Sequence, residues 1–524
     1  MYLNNHTYYS LRYGTYNEQS LIDLCISCGV NHLVLTDINN TSACLNFIRL
    51  CTQHGLKCSV GIDFRNDHQP LYVGIARNNI GFQELNQFLS RYLHDKKPLP
   101  DKAPEFKHAY VIYPLERVME LQLSRFRESE KIGISIATLR KLPFTRYASF
   151  KEQLVILQPT TFRNKRDFNA HRLLRSIDLN ILLSQLDDDQ QGDPDDRMIP
   201  INELKKAFQE FPHIIKNTEE LLGNCSVSFN YEKAQLNENQ QVFSGHKEQD
   251  YKLLQRLAHE GISYRYNHVK DKTAVYKRIE KELTTVKRKG FVAYFLINWE
   301  ICRYAREKNY FYVGRGSGAN SILAYLLQIT EVDPIDLDLY FERFINDYRS
   351  SPPDFDLDFS WDDREDITQY IFKRFKNTAL LGTYNTFQFR AVVRELGKVF
   401  GLPKNDIDLL TSGNVQPQQL DDMHRLVLKY SKLIQGMPNY VSIHAGGILI
   451  TQRDIHYYSA TELPPKGFPT VQFDMHIAED AGIHKFDILA QRGLGKIRDA
   501  ITIIKHNQPD VILKDLRRDV SDFK

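Results

Sequence analysis

Asp354, Asp356 and Asp358 recur at every second position of Ser351-Pro-Pro-Asp-Phe-Asp-Leu-Asp-Phe359. In a β-strand alternate side chains share a face, so the three carboxylates predict one acidic face, with Phe355, Leu357 and Phe359 anchoring the other. Aspartate is a poor strand former, and stacked like charges raise one another's pKa. Such a face makes sense with divalent cations on it, since hard oxygen ligands suit Mg²⁺. The other reading is a solvated edge strand whose charges prevent pairing. A further carboxylate, Asp487, follows Lys485 and Phe486 in AGIHKFDILAQRGLG (481–495), where a second strand would hold it outward. Upstream, FYVGRGSGANS (311–321) leads into the apolar SILAYLLQI (321–329). A glycine-rich turn opening a helix offers backbone N–H groups and a positive dipole end to an anion. Arg315 and Ser317 add donors for phosphate oxygens around Gly316; a tight turn into a core helix would read the same way. Taken together, these are the parts of a two-metal nucleotidyl transfer site. One ion would grip a triphosphate and the other would activate the attacking hydroxyl.

The elements that must hold these groups follow from hydrophobic patterning. FVAYFLINWEICRYAREKN (291–309) reads as a buried helix with Arg303, Arg306 and Lys308 at its C-terminal end. Helices are also expected at 250–266 and 274–290, ending near Gly261 and Gly290. LLGTYNTFQFRAVVRELGKVFG (380–401) puts Arg390, Arg394 and Lys398 on one helical stripe. That stripe is either a solvated face or a phosphate-contacting one; Arg343 is a weaker candidate of the same kind. Residues 402–441 read as helices joined by loops, and His444 reads as a hydrogen-bonded packing residue. Gln472, Asp474 and Glu479 read as structural.

The first 230 residues alternate short apolar strands (32–37, 57–64, 70–77, 109–115, 154–157) with helices such as 42–55, which implies a parallel sheet or barrel. LDDDQQGDPDDR (186–197) reads as an exposed loop, and two helices follow, split by Pro212. Residues 226–250 are polar and read as an inter-domain connection.

With 524 residues, 42% of them hydrophobic, the chain predicts a soluble globular protein of two or three domains. The net charge of +3 gives no whole-chain nucleic-acid signal, so any such binding must rest on local patches. No apolar run is long enough to span a membrane and the start lacks signal-peptide design, which predicts a cytoplasmic location. Seven cysteines, an odd number, argue against a disulfide framework. Cys25 and Cys28 form a CxxC, but with Leu21 they fall on one face of a short helix. Its expected start is a Thr15/Glu18 capping box and its end Gly29, so buried thiols are expected.

Seven stretches resemble, in order and spacing, the α subunits of bacterial DNA polymerase III, the C-family replicative polymerases. They are GFVAYFLINWE, GRGSGANSILAY, DPIDLDLYFERF, SPPDFDLDF, HAGGILI, TVQFDM and HKFDILAQRGL. The resemblance implies an α/β multidomain fold. A PHP-like distorted α/β barrel (1–230) would precede a polymerase-beta-like nucleotidyltransferase palm in two parts (231–386, with a linker, and 443–505). A helical thumb insertion (387–442) and the truncated start of fingers (506–524) complete it. It further implies template-directed DNA synthesis with two Mg²⁺ ions on Asp356, Asp358 and Asp487, Asp354 supporting them. Arg315, Gly316, Ser317, Arg390 and Arg394 would bind nucleotide phosphate. Primer–template DNA and dNTPs are the implied substrates, with a sliding clamp, clamp loader and proofreading exonuclease as partners of a full-length protein about twice as long. The PHP pattern of His-x-His, Thr-Asp-His and a later Glu falls here on Asn4, His6, Asp37-Ile38 and Asp63. Only His6, Asp37 and Asp63 remain as ligands, so a scaffold without metals is expected. A PHP-type phosphoesterase or 3′–5′ exonuclease is the alternative enzyme reading, and a non-catalytic DNA-binding fragment the alternative without chemistry.

Overall fold

A computed structural model describes residues 1–231, 238–239, 243–244, 246–346, 354–413, 418 and 420–509. The expectations for Ser351–Pro353, for much of the 226–250 connection and for the tail after 509 therefore lie outside the described residues. The chain divides into two compact units. The first comprises 1–229, 382–443 and 456–477; the second comprises 230–381, 444–455 and 478–524.

In the first unit the anticipated strands assemble into one six-stranded sheet, in the order β1 (His32–Leu35), β2 (Lys57–Asn66), β3 (Gln69–Ala76), β4 (Ala109–Pro114), β5 (Glu130–Ile134) and β6 (Leu154–Ile156). The sheet is mixed rather than parallel. β2 and β3 form a hairpin through Asp67 and His68, with Asp67 at φ 52°, and β4 also runs antiparallel to β3. A two-residue turn accepting a positive φ closes a hairpin, where a helical crossover would have kept the strands parallel. Strand β5 has no counterpart in the sequence reading.

The helix Glu18–Ser27 forms as expected but with a different cap. Asn17, not Thr15, accepts from the Ser20 amide, while the Thr15 hydroxyl donates to Thr161 O. Cys25 is buried and Cys28 half-buried, both as free thiols. The 186–197 loop is only partly exposed. Gly192 is buried and its amide donates to His171 Nε2 at 2.8 Å, drawing the loop onto the helix Lys165–Leu179. The helices Phe389–Val399, Lys404–Ser412 and Asp422–Ile434 belong to this unit too. Val392, Val393, Leu396 and Val427 share a core with Ala170, Leu173 and Leu174 of the helix Lys165–Leu179.

In the second unit β7 (Tyr312–Arg315), β8 (Asp356–Ser360), the 444–450 part of β9 (Pro438–Ile450) and β10 (Lys485–Gln491) lie side by side in the order β9–β10–β8–β7. β8 and β10 are parallel; β7 is antiparallel to β8, and β9 to β10. Phe355, Leu357 and Phe359 are buried beneath the sheet, as their alternation requires. The helix Val292–Glu307 supports them: Tyr294 stacks on Phe355 (5.6 Å between ring centroids) and on Phe486 (4.9 Å).

Candidate active site

One row of residues crosses four strands. Gly447 on β9 pairs with Asp487 on β10, Asp487 with Asp356 on β8, and Asp356 with Arg315 on β7. Directly paired residues project to the same face, so this row lies on the side opposite the buried phenylalanines. One carboxylate oxygen from each of Asp354, Asp356 and Asp487 falls within 4.8 Å of the others. Asp358, one step further along β8, shares the face but is engaged by Arg315 rather than gathered into that triad. Asp354 lies just before β8 and contributes one of the three clustered carboxylate oxygens.

Each acid of the cluster is anchored from behind by a neighbouring aromatic. Phe355 sits between Asp354 and Asp356, Phe486 precedes Asp487, and both rings rest on Tyr294, whose hydroxyl lies 3.2 Å from the Phe355 amide. Arg364 clips the strands together, donating to Ile488 O and Ala445 O at 2.8 Å each. Nothing in the local pattern of the chain singles out Arg364 or Tyr294, because their partners are far away in sequence.

The cluster carries its own counter-cations. Arg315 Nη1 lies 2.7 Å from Asp356 Oδ2, and its Nε 2.7 Å from Asp358 Oδ2. Lys485 bonds Asp487 Oδ2 and reaches Asp354 Oδ1 at 3.6 Å. Burial and then the neighbouring Asp354 raise the Asp356 pKa against the opposing pull of Arg315. Burial alone would lower the Lys485 pKa, but the bond to Asp487 and the surrounding carboxylates raise it. His444 rests beside the same group: burial lowers its pKa, while Asp487 and Asp354 act in the other direction.

The donor set fits a hard divalent cation. It is all oxygen, it converges, and Asp487 Oδ1 is buried with no hydrogen-bond partner. Asp354, Asp356 and Asp487 are the described residues that could hold such an ion together.

The glycine turn departs from expectation in one respect. Gly316 adopts φ +86°, which explains the glycine, and the Ser317 hydroxyl lies 3.5 Å from Asp354 O. The helix after it is short, Ile322–Leu326 rather than 321–329, ending where Gln328 turns to φ 58°. Its N-terminus is filled from within the protein. The buried carboxylate of Glu282 accepts from the Ser321 hydroxyl (2.7 Å), the Ile322 amide (3.1 Å) and the Leu323 amide (3.3 Å), and Arg278 pairs with it at 2.7 Å. The helix dipole is thus answered by Glu282, and an anion at the turn is left with Arg315 and the residues around Gly316. Arg390 and Arg394 are exposed on their helix in the first unit, and Lys398 there pairs with Glu395 at 2.9 Å.

In the first unit, His6 and Asp63 come together while Asp37 is held apart. His6 Nε2 lies 3.0 Å from Asp63 Oδ2, and its Nδ1 2.9 Å from Thr161 Oγ1. The same Asp63 oxygen accepts from Arg65 Nη2 at 2.6 Å and Nε at 3.0 Å. Asp37 accepts from the Thr7 amide and hydroxyl and from the Ser10 hydroxyl, at 2.6–2.7 Å. Asn4 Oδ1 accepts from Thr36. A cavity of about 390 Å³ opens here, lined by Asn4, Asp63, Arg65 and Asp196 among others.

Comparison with known proteins gives two family matches: residues 3–133 match the PHP domain, and residues 252–490 the bacterial DNA polymerase III alpha NTPase domain. Among similar curated proteins, an error-prone DNA polymerase of Symbiobacterium thermophilum is 26% identical, over 96% of this chain and 52% of its own length. The DNA polymerase III subunit alpha of Bacillus subtilis is 27% identical, over 97% and 50%; that of Escherichia coli K12 is 25% identical, over 96% and 49%. The chain thus spans about half the length of the curated relatives it matches.

Proposed function

We propose, from the premise that residues 252–490 belong to the bacterial DNA polymerase III alpha NTPase domain family and residues 3–133 to the PHP domain family, that this chain carries the nucleotidyl-transfer site of a template-directed DNA polymerase. The observation that carries the reading is the row Arg315–Asp356–Asp487 on three adjacent strands, with Asp354 and Asp358 flanking it. Asp356, Asp358 and Asp487 are the catalytic carboxylates in this reading, with Asp354 beside them. Arg315, Gly316 and Ser317 take the nucleotide phosphates. Arg390 and Arg394 are assigned to triphosphate or DNA phosphates.

In the reaction, the 3′-oxygen of the primer forms a bond to the α-phosphorus of a dNTP. The bond from that phosphorus to the bridging oxygen breaks, pyrophosphate leaves with the electron pair, and the hydroxyl proton passes to solvent. Two divalent ions, which we take to be Mg²⁺, would supply charge neutralisation for the attacking and leaving oxygens when bound by Asp354, Asp356, Asp358 and Asp487. The protein's own part is to fix these carboxylates on a rigid sheet, exclude bulk water from Asp487, and hold the phosphate side with Arg315.

We read 231–386 and 443–505 as the palm, 387–442 as the thumb and 506–524 as the start of fingers. Residues 1–230 are read as a PHP scaffold in which the Arg65 guanidinium stands where a cation would otherwise meet Asp63. A cytoplasmic setting and a clamp, clamp loader and exonuclease as partners belong to the same proposal. Of the membrane question, no described helix is long and apolar enough to cross one.

Primer extension with Mg²⁺ by the full chain tests the reading against Asp356→Asn/Asp358→Asn and Asp487→Asn. A loss of about a thousandfold or more in the variants is expected. Undiminished extension would remove it. Hydrolysis of labelled single-stranded DNA that survives these changes but disappears with Asp63→Asn would favour the PHP phosphoesterase instead.

A further inference from the structure

The face that bears the carboxylates ends, on the β9 side, in a histidine. Gly447 stands opposite Asp487, and its missing side chain leaves a space that the His444 ring fills, with Nδ1 only 2.9 Å from where a Cβ would be. His444 Nδ1 accepts from the Gly447 amide at 2.9 Å and from the Gly446 amide at 3.4 Å. A ring that accepts at Nδ1 carries its proton on Nε2 when neutral. Among the described residues Nε2 has no protein partner, and the ring is half-buried within electrostatic reach of Asp487, Lys485 and Asp354. Across the face the order is therefore Arg315 with the glycine turn, Asp356, Asp487, then His444.

We propose that His444 is a substrate-contacting residue that donates its Nε2–H to an oxygen of the primer's terminal nucleotide, orienting the 3′-hydroxyl beside Asp487. The proposal rests on the polymerase reading above. If the triphosphate lies against Arg315 and Gly316, the attacking strand must approach from the far end of the row, where His444 stands. An uncharged donor there suits a sugar hydroxyl or ring oxygen, whereas the phosphate end is served by a guanidinium. Gly447 is part of the same device, because any side chain at that position would displace the ring.

Two substitutions separate contact from packing. His444→Asn keeps an acceptor where Nδ1 sits and removes the distal donor; His444→Gln offers an amide N–H near the Nε2 position. The full chain is assayed for primer–template affinity by fluorescence anisotropy in EDTA, and for extension rate and dNTP KM with Mg²⁺. His444→Asn is expected to weaken preference for a primer terminus over unprimed single strand, and to slow extension, each about three- to tenfold. Its dNTP KM and melting temperature should stay unchanged, and His444→Gln should restore most of the loss. Wild-type behaviour of His444→Asn, or a loss confined to dNTP KM, overturns the proposal. Full extension by Asp487→Asn overturns the polymerase reading itself, which separates the two failures.

Discussion

Arg315 and Asp356 stand opposite one another in the antiparallel β7–β8 pair, with guanidinium Nη1 and carboxylate Oδ2 2.7 Å apart. The acid that belongs to the carboxylate triad therefore already has a cation of the protein's own, and so does Asp487 through Lys485. A divalent ion arriving alone must displace them, whereas a nucleotide can draw Arg315 onto its phosphates and free the acids.

Arg315→Ala is accordingly expected to bind Mn²⁺ roughly threefold or more tightly than wild type without nucleotide, in a titration followed by electron paramagnetic resonance. Arg315 is nearly half exposed, so its ion pairs contribute about 1 kcal/mol or less to stability. Weaker Mn²⁺ binding by the variant would show that Arg315 is not a resident counter-cation.

Glu282 is fully buried beneath the glycine turn; its removal leaves the first amides of the helix Ile322–Leu326 without their acceptor and Arg278 with the Asn320 and Leu339 carbonyls but no carboxylate. Glu282→Ala is expected to cost about 3 kcal/mol and Glu282→Gln less. Hydrogen exchange gives the local readout: amides of 321–326 should exchange faster in the alanine variant. Unchanged protection there would mean that the cap contributes nothing.

Glu18, buried in the first unit, has its carboxyl pushed up to about 7 from 4.5 by burial, which the hydrogen bond from Asn46 only partly offsets. The folded state thus prefers the protonated form. That contribution is whole below about 4.5 and is lost as pH rises through about 7. Glu18→Gln should match wild type at pH 4 and exceed it by roughly 2–3 kcal/mol at pH 8 in urea unfolding. A variant less stable than wild type at pH 8 would contradict this.

Arg65 holds the buried Asp63 carboxylate, and with His6 brings its pKa down to about 2 against the burial that would raise it. Arg65→Ala leaves that buried charge with the His6 hydrogen bond but without its guanidinium, and is expected to cost about 3–5 kcal/mol. Adding Mn²⁺ should raise the melting temperature of the variant more than that of wild type. An equal response would argue against the guanidinium standing in a cation's place, as would two or more tightly bound transition ions in wild-type protein.

Much of the site was legible because it is written in local alternation. The phenylalanines of DFDLDF and KFD point one way and the aspartates the other, and that alone oriented β8 and β10. The pairing of the two strands was not legible, since register is a long-range property. What escaped the reading has distant partners. Glu282 caps a helix beyond the next one, and Arg364 joins two strands it does not belong to. His444 was visible as a residue with a hydrogen bond to make; its place over Gly447 required the sheet. In the first unit a two-residue turn at Asp67–His68 replaced the expected crossover, and Asn17 rather than Thr15 took the helix cap, because Thr15 was drawn to Thr161.

β10 is the last strand of its sheet to be synthesised, yet it lies between β8 and β9. Until residue 491 has left the ribosome, one side of β8 has no neighbour to hydrogen-bond, and the acids of β8 lack Asp487. The nascent chain thus carries an open, sticky ribbon for the whole time it takes to translate some 130 codons. Shielding of that ribbon by a chaperone, or fast completion of the segment, becomes a condition for a good yield of folded protein.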